Sequence, residues 1–167
     1  MIISDLLHNG ILPFEIDDEK LMKLFSFFLH SAPTIKSTTA MNISEERMNR
    51  NWKNFILTVF NEENYTFLNA QNPIEKYFEK YGLNDANEIK KRTHGFICKY
   101  KDTNEKDYVC FLRHIRNAIA HNHLYYINAG NRKFIMFDDF NDNTKKQNAR
   151  ILLSQTDLQR LKNEIMK

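Results

Sequence analysis

The sequence predicts a mainly α protein: a helical bundle that carries a small β-hairpin towards its C-terminal end. Phenylalanine and tyrosine are plentiful, at 13 and 7, whereas glycine and proline number only 4 and 3. That scarcity of turn residues suits helices better than a β-sandwich. Apolar residues also recur at three- and four-residue spacing, and several helix starts carry capping residues. At 167 residues the chain is long enough for one self-sufficient core. No linker-like run divides it, so a single domain over residues 1–167 is expected.

The elements follow in order. Ile2, Ile3, Leu6 and Leu7 are enough for a short helix that Gly10 would end. Asp17 and Asp18 open a stronger one through His30, with Leu21, Leu24, Phe25, Phe28 and Leu29 at core spacing. Pro33 stops it, and residues 34–40 form a polar loop. Asn42 with Glu45 reads as a capping box for a helix buried through Met48, Trp52, Phe55, Ile56 and Val59. Trp52 sits in a regular stripe, which favours a core role over a base-stacking one. Asn72-Pro73-Ile74-Glu75 is the strongest helix start, with Asn72 as cap and Gly82 as terminator. A longer helix is expected from about Asp85 to Tyr100, buried through Ile89, Phe96 and Ile97. Its Lys90-Lys91-Arg92 run reads first as a solvated face and second as an RNA backbone contact.

Residues 101–106 are a polar turn, from which the next helix rises to about Asn122. Residues 123–127 and 132–137 flank Asn128-Ala129-Gly130-Asn131, a hairpin signal in which Gly130 is free to take positive φ. Residues 138–147 are hydrophilic and read as a loop. Ser154 with Asp157 caps a last short helix carrying Leu158, Leu161 and Ile165.

The helix ending at His121 has two different faces. With Arg116 at zero and 100° per residue, Tyr108, Phe111, Leu112, Ile115, Ala118 and Ile119 fall between about 200° and 320°. Arg116, Arg113, Asn117, His121 and His114 fall between about 0° and 160°. The first arc is a core stripe. The second gathers two arginines, two histidines and an amide without an acidic residue, a surface suited to a polyanion. Charge along the chain agrees: residues 1–90 hold nine basic and thirteen acidic side chains, and residues 91–167 hold fifteen and eight. The polar arc lies in the basic half, which favours nucleic acid as partner.

Arg116-Asn117-Ala118-Ile119-Ala120-His121 resembles the R-x4-H motif of the HEPN superfamily, including the polar residue after the arginine. The resemblance implies a HEPN-like helical bundle and, for many members, a metal-independent ribonuclease. Those enzymes act as dimers in toxin–antitoxin, phage-defence and RNA-guided systems, their motifs meeting across the interface.

The residue chemistry fits such a reaction. RNA carries its own nucleophile, the 2′-OH, so cleavage needs a base, an acid and positive charge on the phosphoryl oxygens. Histidine exchanges protons near neutrality, and arginine matches phosphate geometry while staying charged. His121 and Arg116 are assigned these roles, with Asn117 holding the imidazole or a phosphate oxygen. Arg113, His114, Lys90, Lys91 and Arg92 are the expected RNA contacts. Two motif helices in a homodimer would supply two histidines; His114 is the rival second histidine within one chain.

His121, His123, Asp138 and Asp139 invite a metal reading, yet neither H-E-x-x-H nor short Cys spacing is present. No metal or cofactor is expected. Phosphate loops, nucleophile elbows and dinucleotide fingerprints are missing, which removes the common ATPase, hydrolase and dehydrogenase classes. Cys98 and Cys110 read as small hydrophobes of a reducing, cytoplasmic protein. No signal pattern or membrane-length apolar run appears. The expected function is an endoribonuclease leaving a 2′,3′-cyclic phosphate, with an antitoxin or nucleotidyltransferase as a possible partner. The alternatives are a non-catalytic HEPN-like module binding RNA, nucleotide or protein, and a helical assembly protein.

Overall fold

The computed structural model describes residues 12–33, 40–60, 63–90 and 93–167. Helix α1 (Glu19–Ser26) runs into a π-helical turn (Phe27–Ser31), followed by α2 (Glu45–Val59), β1 (Tyr65–Leu68) and α3 (Glu75–Lys80). A 3-10 turn (Ala86–Glu88) leads to β2 (Gly95–Lys99) and α4 (Asp107–Ala120). The chain ends with β3 (Leu124–Ala129), β4 (Arg132–Phe140), β5 (Gln147–Ser154) and α5 (Gln155–Met166).

The five strands form one sheet in the order β1-β2-β5-β4-β3. β1 and β2 are parallel; the other neighbours are antiparallel. This corrects the mainly α expectation: the fold is α/β, with five α-helices among the described residues packed around a mixed sheet. The reason is burial on both faces. Phe96, Cys98, Ile135, Phe137, Ile151 and Leu153 enter the core shared with α1, α2, α4 and α5. Their alternating neighbours Ile97, Phe134, Met136 and Leu152 enter a second core with Ile74, Phe78, Leu83 and Ile89. Strands covered on both sides are apolar in runs, without the period-2 signature that reveals a half-exposed strand.

Other expectations shift accordingly. The helix expected over residues 85–100 is a short 3-10 turn followed by β2. The loop expected over residues 138–147 is the end of β4, a tight turn and the start of β5. Residues 128–131 do turn a hairpin, with Gly130 at φ 62°, but its strands belong to the main sheet, β3 at the edge and β4 inside it. Ser44, rather than Asn42, caps α2 by accepting the Arg47 N–H. Ile74, rather than Asn72, occupies the cap position of α3. The Ser154 cap of α5 is present, its hydroxyl accepting the Asp157 N–H at 3.1 Å. Trp52 packs among Phe55, Phe67, Phe96 and Phe111. The helix expected in residues 1–10 lies outside the described residues, as does most of the 34–40 loop.

Candidate functional site

Helix α4 carries the motif, and its apolar face is buried as its periodicity requires: Phe111, Leu112, Ile115, Ala118 and Ile119 are enclosed. That seats the helix against the sheet and turns Arg113, Arg116 and Asn117 towards a groove of about 760 Å³. The loop after β2 forms one wall of this groove and the β4–β5 turn another. Lys101, Asn141, Lys146 and Asn148 join Arg116 and Asn117 along its lining. Amide and cationic groups of this kind suit the phosphates and base edges of a nucleic acid.

The polar arc is acid-free along the helix but not in space. Arg113 donates from Nε and Nη2 to the two carboxylate oxygens of Glu105, at 2.8 and 2.9 Å. Burial opposes the charge on Glu105, but Arg113 and the Lys101 N–H hold its carboxyl below the usual range. His114 is only 1% exposed. Its Nδ1–H donates to Asp139 Oδ2 at 2.7 Å and its Nε2–H to the Lys99 carbonyl at 2.8 Å. Burial disfavours the imidazolium; the Asp139 hydrogen bond, helped by Cys110, overrides it and raises the pKa to about 9. Asn117 Nδ2 donates to the same Asp139 oxygen at 3.1 Å. The Lys99 carbonyl also accepts from Arg113 Nη2 at 3.2 Å and Cys110 Sγ at 3.3 Å.

Arg113 and His114 thus tie α4 to β2, to β4 and to the loop after β2. With both ring nitrogens engaged internally, His114 has no polar atom left for RNA. Arg116 differs: its Nε is buried without a hydrogen-bond partner among the described residues. Lys90 is exposed just after the 3-10 turn, and Lys91 and Arg92 lie outside the described residues.

His121 is exposed and does not line the groove. It forms the C-cap of α4, five residues or about 140° around the helix from Arg116. Asn122 follows at φ 59°, a conformation asparagine tolerates. The Asn122 N–H bonds the Ile119 carbonyl at 3.3 Å, and the His123 N–H the Ala118 carbonyl at 2.9 Å. These two bonds make a Schellman cap, which fixes His121 and His123 relative to one another. Among the described residues, no group of three or more His, Cys, Asp or Glu gathers as a metal site. Cys98 and Cys110 are buried free thiols. No helix among the described residues is long and apolar enough to cross a membrane.

Sequence reasoning missed Asp139 and Glu105 as partners of the arc. Both reach α4 from outside the helix, and a helical wheel contains no term for such neighbours. The adjacent acids Asp138 and Asp139 were a visible signal, but they resembled a solvated loop.

The chain matches the family model described as HEPN pEK499 p136 over residues 11–167, and it belongs to that family. No curated protein and no solved structure matches it.

Proposed function

We propose that this protein is a metal-independent endoribonuclease that cleaves RNA by attack of the 2′-OH, leaving a 2′,3′-cyclic phosphate and a 5′-hydroxyl. The observation that carries the reading is Arg116. It opens the R-x4-H segment inside the matched family region, and its half-buried side chain lines the cationic groove. A phosphoryl oxygen is the natural acceptor for a guanidinium. As negative charge grows on the phosphorane, the guanidinium stabilises it without changing protonation. Asn117, anchored through its Nδ2, keeps its carbonyl oxygen for a substrate donor.

His121 exchanges the proton. Because it stands away from the groove of its own chain, a symmetric homodimer through the motif helices is the arrangement that joins His121 of one copy to Arg116 of the other. The family relationship supports a role in toxin–antitoxin or phage-defence systems, where an antitoxin or nucleotidyltransferase would restrain the enzyme.

The test is incubation with RNA and DNA of equal sequence in excess EDTA, followed by analysis of the ends. Cleavage of RNA alone, with cyclic phosphate termini, is expected, since only RNA carries the internal nucleophile. Equal cutting of DNA, or dependence on one divalent ion, would overturn the mechanism. RNA bound but left intact would favour the non-catalytic module.

A further inference from the structure

Transfer of the phosphoryl group to the 2′-oxygen needs two proton movements, and the motif contains one histidine. A second lies two residues further on, outside the motif. The His121 and His123 ring centres are 6.2 Å apart, their planes at 65°. Rings at that spacing can each reach, across a hydrogen bond, an oxygen of one phosphodiester. The Schellman cap sets the spacing, and the Asp138 N–H bond to the His123 carbonyl at 3.0 Å pins the second histidine to β4.

We propose, on the ribonuclease reading above, that His121 and His123 act as a pair within one chain: His123 takes the proton of the attacking 2′-hydroxyl, and His121 delivers one to the leaving 5′-oxygen. The O2′–P bond forms as the P–O5′ bond breaks. One proton is lost by the 2′-hydroxyl and one gained by the 5′-oxygen, so the step balances without a co-reactant. The dimer is then needed to supply the arginine of the facing copy, not a second histidine.

The surroundings of His123 suit a base. Its ring meets the Phe140 ring edge-on at 5.0 Å, an apolar neighbour on β4. Its Nδ1 is buried without a hydrogen-bond partner among the described residues, so Nε2 is the nitrogen left to take the proton. The charged groups facing it are His121 at the end of α4, Asp138 and Asp139 on β4, and Asp142 in the β4–β5 turn. Asp138 is occupied by Arg150, and Asp139 by His114 and Asn117. Burial and the His121 charge prevail over these acids and lower the His123 pKa, favouring the neutral form.

The test is single-turnover cleavage by full-length wild type, H121Q and H123Q across the pH range. It uses ordinary RNA and RNA with sulfur replacing the scissile 5′-oxygen. A thiolate leaves without a proton, so the sulfur substrate restores a variant lacking the acid but not one lacking the base. H123Q is expected to be about 10²–10⁴-fold slower on both substrates and to lose the acidic limb of the pH profile. H121Q is expected to be slow on ordinary RNA and restored by sulfur. Wild-type rates in H123Q, or its rescue by sulfur, would overturn the assignment. Should H123Q not fold, histidine NMR on the wild type decides. His123 should titrate below the ordinary histidine range and rise when His121 is replaced; titration above that range would overturn the pair. A wild type that leaves RNA intact defeats the ribonuclease reading itself, whereas an active wild type with an unaffected H123Q defeats only the pair.

Discussion

Asn117 on α4 and Asp139 on β4 are joined by a 3.1 Å hydrogen bond, and the Asp139 oxygen that accepts it also accepts the His114 Nδ1–H at 2.7 Å. One buried carboxylate oxygen therefore orients a motif residue and neutralises a buried cation. Removing the carboxylate, as in D139A, leaves the His114 imidazolium uncompensated. The expected cost is about 3–5 kcal/mol in chemical denaturation, because an unpaired buried charge retains its full desolvation penalty. D139N keeps one acceptor and should lose less. A D139A protein as stable as wild type would show that the network does not anchor the helix.

His114 should make stability depend on pH. Its pKa is about 9 in the folded protein, against 6.5 for an unperturbed histidine. The contribution is therefore complete below the unfolded value and is lost as pH rises through about 9. Cys110 runs the other way: the Cys98 hydrogen bond, assisted by His114 and opposed by burial, draws its thiol down to about 7. Its contribution is present above the unfolded thiol pKa and is lost as pH falls through about 7. Denaturation in a C110A background isolates the histidine. Stability there should fall from neutral to alkaline pH, and H114Q should flatten the slope.

Arg150 and Asp138 face one another across β5 and β4 and form a buried two-bond pair at 2.9 Å each. The guanidinium also donates to the Leu83 carbonyl at 3.0 Å and lies over the Phe78 ring. R150M strands the Asp138 carboxylate and should cost roughly 3–5 kcal/mol. The double variant D138L/R150M should recover part of that loss. Urea titration of the three variants checks it, and equal stability of the single and double variants would contradict the pair's role.

This pair also shows where the sequence was opaque. Asp138 and Asp139 resemble a solvated loop until Arg150, His114 and Asn117 arrive from other elements to satisfy them. Phe96-Ile97-Cys98 offers a short apolar run that fits a helix or a doubly buried strand equally well; only pairing with β1 and β5 decides it. Features set by local chemistry were legible: the buried stripe of α4, the Ser154 cap and the turn at Gly130. The R-x4-H spacing was legible for the same reason, since Arg116 and Asn117 share one helix and His121 caps it. The groove that Arg116 and Asn117 face was not, because its walls come from residues 100–106 and 141–148.

Subunit exchange tests the composite site. R116A and H121A should each be inactive alone. After mixing and exchange, a heterodimer regains one intact Arg116–His121 combination, giving about a quarter of wild-type activity for random pairing. Activity that stays at the level of the separate variants, with exchange verified, would contradict a site shared between copies.

The most direct measurement is the single-turnover rate of RNA cleavage in EDTA by wild type and H121A, with circular dichroism and melting curves showing that both are folded. The expected result is RNA affinity close to wild type, with cleavage slower by about 10²–10⁴ as befits a lost proton-transfer group. A folded H121A that cuts RNA at the wild-type rate would contradict the account, leaving the motif helix a binding or assembly surface.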